Sequence, residues 1–224
     1  MTRPPSDKNG HHNVLQFEVP ARQRKHPRQA RSIALVDALK ETGREILESE
    51  GREALSAQHL SDRAGVAISS IYEYFPTMES LVAAIFNEYR TEIHRELIEQ
   101  LQALPPTAKL FDGIVLMLRT FMAVRYKWSQ IDPEFTARYI QYDELLRLEV
   151  VKPDHVAPAA ATLTLMERFA DEVVVRDREK VVFLIYHTVQ ALPRVIALER
   201  PALLNDENTL LLLAKMLEAL LTTG

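Results

Sequence analysis

The sequence predicts an all-α protein: an N-terminal three-helix helix-turn-helix unit followed by a larger C-terminal helical domain. Apolar residues recur at helical spacing along most of the chain, and no segment shows the alternation of a strand. Only 6 glycines occur among 224 residues, so helix breakers are scarce, and 47% hydrophobic residues supply a substantial core. The length accommodates two unequal domains.

Composition narrows the chemistry. The absence of cysteine excludes disulfides, thiolate zinc sites, iron–sulfur clusters and a cysteine nucleophile. The seven histidines are scattered, and H-E-x-x-H, glycine-rich phosphate loops and G-x-S-x-G elbows are missing, so no enzyme, metal or cofactor is expected. MTRPPSDKNGHHNV lacks the apolar run of a secretory signal, and no stretch is expected to approach the ~20 apolar residues of a membrane helix. The cytoplasm is the expected compartment, with no membrane partner. A net charge of -4 argues against indiscriminate coating of nucleic acid, yet PARQRKHPRQARSIAL holds Arg22, Arg24, Lys25, Arg28 and Arg31 without one acid.

Residues 1–28, interrupted by Pro4, Pro5, Gly10, Pro20 and Pro27, read as a disordered basic arm. The first helix follows, with Leu35, Leu39, Ile46 and Leu47 near one face, and Gly51 is expected to stop it in the left-handed conformation. Ser56 can accept from the first-turn amides of a short second helix, which buries Leu60 and Ala64 and ends at the turn residue Gly65. AISSIYEYF then places Ile71 and Phe75 one turn apart for burial. Pro76 ends that helix, and Thr77 caps the next, Met78 to about Leu104. The helix-turn-helix unit is expected over 29–78 and the second domain over 79–224. Further helices are expected over Ala108–Trp128, Pro133 to about Leu148, Ala157–Glu172, Arg178–Glu199 and Glu207–Thr222, with Pro193 kinking its helix. The last two are apolar around so much of their circumference that burial on two sides is implied.

A short helix, a tight turn and a second short helix, held by a longer helix before them, form a helix-turn-helix, whose second helix enters a major groove about 12 Å wide. LSDRAGVAISSIYEYFPTMESLVAAIF resembles the DNA-binding domain of the TetR family of one-component transcriptional regulators. The match lies in Ala64, Gly65 and Val66 at the turn, Tyr72 and Phe75 closing the recognition helix, and Glu79 and Leu81 opening the next. The sequence departs from the family at Met78, where a lysine is usual, and at Ile68 and Glu73, where basic residues are common. The resemblance implies a homodimer on double-stranded DNA, more often a repressor, binding a palindromic operator and released by a small-molecule effector.

Ala67, Ser69 and Ser70 are small enough for close approach to DNA; the two serines can touch phosphate or bases, or simply cap and solvate. Ile68 can pack on a thymine methyl, and Gln58 can reach a base edge or phosphate or be an ordinary surface residue. Tyr72 and Tyr74 can hold phosphates through their hydroxyls, or one of them can pack beneath the motif. Ser56 and Thr77, at helix starts, join the expected DNA-binding set, and Glu73 reads as a bystander. Because the recognition helix lacks cations, the arm, represented by Arg28 and Arg31, is expected to supply phosphate neutralisation.

In the C-terminal part, the last two helices are expected to form the dimer interface. Effector-binding candidates are Arg119, Tyr126, Trp128, Tyr139, His187 and Gln190, polar or aromatic residues among apolar neighbours. The competing reading is a helix-turn-helix protein without an effector, whose C-terminal domain serves a protein partner.

Overall fold

The computed structural model describes residues 29–132 and 159–223. The basic arm with Arg28, and the helix expected over Pro133–Leu148 with Tyr139, lie outside them. Regular structure among the described residues is entirely helical. α1 (Ala30–Glu50) leads through a 3-10 turn (Arg52–Ala54) to α2 (Ala57–Ala64), α3 (Ile68–Tyr74) and the long α4 (Met78–Ala103). α5 (Leu110–Ile131), α6 (Ala160–Arg168) and α7 (Arg178–Glu199) follow, then a second 3-10 turn (Pro201–Asn205) and α8 (Glu207–Thr222).

Local chemistry explains most of the boundaries. Ser56 Oγ accepts from the His59 amide at 3.1 Å, and Asp206 accepts from Thr209 N at 2.8 Å, so α2 and α8 begin at side chains that satisfy first-turn donors. Thr77 and Ser80 exchange bonds as a capping box at the start of α4. Gly51 does stop α1, but its φ of 84° comes with ψ 177°, so the expected left-handed helical conformation is corrected to an extended one that glycine tolerates. α6 ends at Arg168, short of the expected Glu172, as the chain turns at Phe169. α7 continues through Pro193, which lacks the amide that would have bonded the Val189 carbonyl.

α7 also corrects the expectation that no segment nears a membrane span. By length and composition it could cross a bilayer, with a mean hydropathy of 1.6 over its most apolar window. One face packs Ile185, Val189 and Ile196 into the interior, while Leu184, Val195 and Leu198 are exposed.

Two apolar cores organise the chain. The first gathers Leu39, Ile46, Leu60, Ile71, Phe75, Leu81 and Ile85 from α1 to α4, and also Val124 and Trp128 from α5. The second joins Leu97 and Leu101 of α4 to α5, α6, α7 and α8. Fully burying each large aliphatic or aromatic side chain contributes about 1.5–3 kcal/mol. α4 and α5 each belong to both cores, so the N-terminal head is anchored to the rest through two helices rather than through a hinge.

Close helix approaches fix these packings. A Cβ on Gly43 would stand 2.9 Å from Ile85 Cδ1, and one on Gly113 would stand 2.6 Å from Leu165 Cδ1 and 2.7 Å from Phe169 Cε2. Ion pairs reinforce the same seams: Lys40 with Glu88 and Arg44 with Glu92, both at 2.9 Å between α1 and α4, and Lys127 with Glu48 at 2.7 Å between α5 and α1.

Candidate nucleic-acid interface

The α2–α3 turn is locked from three directions. Gly65 adopts the left-handed conformation, φ 65° and ψ 30°, and its amide bonds the Ser61 carbonyl. Val66 N donates to that carbonyl at 3.3 Å, and Ser61 Oγ donates back to the Val66 carbonyl at 2.7 Å. Ser61 was not singled out from the sequence; a serine four residues before a turn glycine was the available signal. Behind the turn, Ile71, Tyr74 and Phe75 sink α3 into the first core, leaving Ala67, Ser69, Tyr72 and Glu73 on its outer face.

The expected DNA-binding residues divide by environment. Ala67 and Ser69 are exposed, and Ile68 and Ser70 half-buried. The two tyrosines separate: Tyr72 is 43% exposed, whereas Tyr74 is 7% exposed and packs with Phe75 beneath the motif. Gln58 is exposed and donates to Asp62 Oδ1 at 2.9 Å. Ser56 and Thr77 serve as helix caps. Arg31 is exposed on the first turn of α1, and Met78 packs partly against the first core.

Electrostatically the head is unusual for a nucleic-acid reader. Residues 29–86 carry five basic side chains against nine acidic ones. Most of those cations are already engaged: Arg52 with Glu79 at 2.7 Å and Asp132 at 3.8 Å, Arg63 with Glu50 and Glu45, and Lys40 and Arg44 with α4. Burial pulls the Lys40 pKa down, but its hydrogen bonds to Glu88 and Asp37 outweigh that, and the ammonium is held charged above its ordinary range. The residues 1–28, by contrast, carry six basic side chains against two acidic ones.

The five effector candidates among the described residues do not converge. Arg119 forms a two-bond pair with Glu207, at 3.0 and 2.8 Å, which holds the Glu207 carboxyl below its ordinary range. Trp128 belongs to the first core, edge-on to Phe86 at 4.9 Å, and Tyr126 is exposed on α5. His187 lies against the Phe183 and Tyr186 rings on α7. Of the five that lie among the described residues, Gln190 alone lines a shallow cleft between α4, α5 and α7. Its other polar walls are Arg90 and His94 of α4 and Arg125 of α5, beside Phe86 and Phe121. Sequence reasoning missed these three. The signal was present in Arg90 and His94 one helical turn apart, flanking the apolar Ile93. Among the described residues, no group of three or more potential ligands could hold a metal ion.

Comparison with protein families matches residues 39–85 to the model described as bacterial regulatory proteins, tetR family. Comparison with curated proteins finds no match.

Proposed function

With its DNA-binding domain at residues 39–85, this chain belongs to the TetR family of bacterial regulatory proteins and is a helix-turn-helix transcription regulator, and from that premise we propose a homodimeric repressor released by a small-molecule effector. The observation that carries the DNA-reading part is the outer face of α3, where small and uncharged Ala67 and Ser69 stand beside exposed Tyr72 behind a turn locked at Gly65. Such a face admits the helix to a major groove, while Tyr72 and Ser70 offer hydroxyls to the flanking phosphates.

A carboxylate on that face tests the reading. Ser69→Glu is expected to lower affinity for a specific duplex at least tenfold, by repulsion and desolvation against the phosphates, in a protein of unchanged helix content and dimer mass. Unchanged affinity would remove α3 from the interface.

The arm supplies the cations that the head lacks. Each phosphate neutralised contributes about 0.9 to the slope of log affinity against log salt. Deleting residues 1–28 is therefore expected to weaken binding and flatten that slope by roughly two to four units, if each of the dimer's two arms neutralises one or two phosphates. A salt titration that gives the same slope with and without the arm would sink this assignment.

Dimerisation is proposed through α7 and α8. On α7, Leu184, Ala191, Val195 and Leu198 fall in one exposed stripe at helical spacing, with Phe183, the most exposed apolar side chain of the helix, at its edge, and Leu212 and Met216 form an exposed pair on α8. Two copies of this pair would bury the stripes as a four-helix interface. Release then follows if an effector prefers a conformation with the two heads at the wrong separation for the operator, since differential affinity for two states is what shifts them. α4 and α5, shared by both cores, would carry the shift.

A further inference from the structure

We propose that α3 selects its half-site by thymine: the start of the helix packs on the C5 methyl groups of T·A pairs and does not read guanine directly. This names the base class for the DNA-reading function proposed above and rests on that reading. A base edge in the major groove is told apart by what the facing side chain can donate, accept or cover. Guanine is read by Arg or Lys on O6 and N7, adenine by Asn or Gln on N6 and N7, and thymine by apolar contact with its methyl. α3, Ile68–Tyr74, holds no arginine, lysine, asparagine or glutamine. On α2 the Gln58 amide donates to Asp62 Oδ1 at 2.9 Å, and Lys40, Arg44, Arg52 and Arg63 of the head are each paired with a carboxylate.

What α3 does present fits a methyl. The residues at the start of a recognition helix are the ones that meet base edges, and here they are Ala67, Ile68 and Ser69. Ala67 is exposed and Ile68 half-buried, so an apolar surface opens at the helix entrance. Ser69 beside them is exposed, but its hydroxyl both donates and accepts and so discriminates little between bases. Ala67 also occupies the N-cap of α3 without a side-chain bond, where Ser, Thr, Asp or Asn would satisfy a first-turn amide. A methyl at that place costs helix stability and keeps the entrance apolar. The surface is held in position from behind, because Ile71 and Phe75 have no exposed area and Gly65 fixes the turn at φ 65°. Glu73 is the one charged side chain of α3; its carboxylate only accepts, so it cannot bond guanine O6 and N7.

The test uses the full chain and a duplex enriched from a random pool, made in three forms: unmodified, with deoxyuridine for every half-site thymidine, and with 7-deazaguanine for every half-site guanine. Deoxyuridine lacks only the methyl and keeps the base-pair hydrogen bonds, whereas 7-deazaguanine lacks the N7 acceptor. Burying one methyl corresponds to about fourfold in affinity, so one methyl in each of two half-sites predicts a loss of about tenfold or more with deoxyuridine. The 7-deazaguanine duplex is expected to bind within twofold of the unmodified one. Ile68→Ala is expected to shrink the deoxyuridine loss at least twofold; if that variant fails to fold, the wild-type comparison decides alone. A deoxyuridine loss under twofold, a larger loss with 7-deazaguanine than with deoxyuridine, or half-sites without thymine overturns the proposal and leaves the regulator reading standing. A pool that yields no enriched duplex with folded protein refutes the DNA-reading premise, and the proposal with it.

Discussion

A Phe183→Glu, Leu212→Glu double variant is expected to sediment as a monomer and to lose operator affinity by about two orders of magnitude or more. Phe183 and Leu212 are 60% and 58% exposed in the single chain, so neither contributes much to the protomer's own core, and glutamate is accommodated there without a cavity or a buried charge. In a four-helix interface the same carboxylates would be desolvated, at a cost of several kcal/mol each. Loss of the dimer separates the two recognition helices, and linked binding of two half-sites typically gains 10²–10⁴ over one. The expected pattern is a monomer with a native melt and weak, non-cooperative DNA binding. A variant that stays dimeric would place the interface elsewhere.

The second large effect concerns the head itself. Phe75→Ala is expected to destabilise the first core by about 3–5 kcal/mol, the usual cost of emptying a fully buried phenylalanine site. Phe75 has no exposed surface, sits at the end of α3, and is shared by the packing that also holds Ile71, Leu60 and Leu81. The site has little room to collapse, since Gly43 already brings α1 within direct contact of Leu81 and Ile85. Specific DNA binding is expected to disappear, and the thermal melt to show an early transition from the head ahead of the second core. A single unshifted transition would mean that α3 is held by something other than this core.

Backbone chemistry was the part most readable in the residues. Ser56, Thr77 and Gly65 each do what their type and position require: two caps and a left-handed turn. The bounds of α7 and α8 are those expected from their apolar runs, and the structure adds Asp177 and Asp206 as the caps at their starts. The two tyrosines of α3 show where reading stops. Both fit a phosphate role by type, yet Tyr74 lies one helical turn from Ile71 and so faces inward, whereas Tyr72 points away.

Tertiary choices were less legible for a physical reason: periodicity reveals which face is apolar, not which neighbour it meets. Trp128 reads as an effector candidate and Val124 draws no notice in the sequence, but packing assigns both to the head. Arg52 joins Glu79 and Asp132, partners 27 and 80 positions away, which no local pattern announces. Arg125 meets Arg90 and His94 at one cleft only through the packing of three helices. Val189 and Gln190, one turn before Pro193, complete it.

The measurement that bears most directly on the central claim is selection of bound duplexes from a random pool by the full chain at moderate salt, followed by sequencing. Two recognition helices related by a two-fold axis should enrich a palindrome whose half-sites lie about one helical turn, 34–36 Å, or a multiple of it apart. Enrichment of a non-symmetric site, or no enrichment by folded dimeric protein, would contradict a symmetric operator-reading regulator.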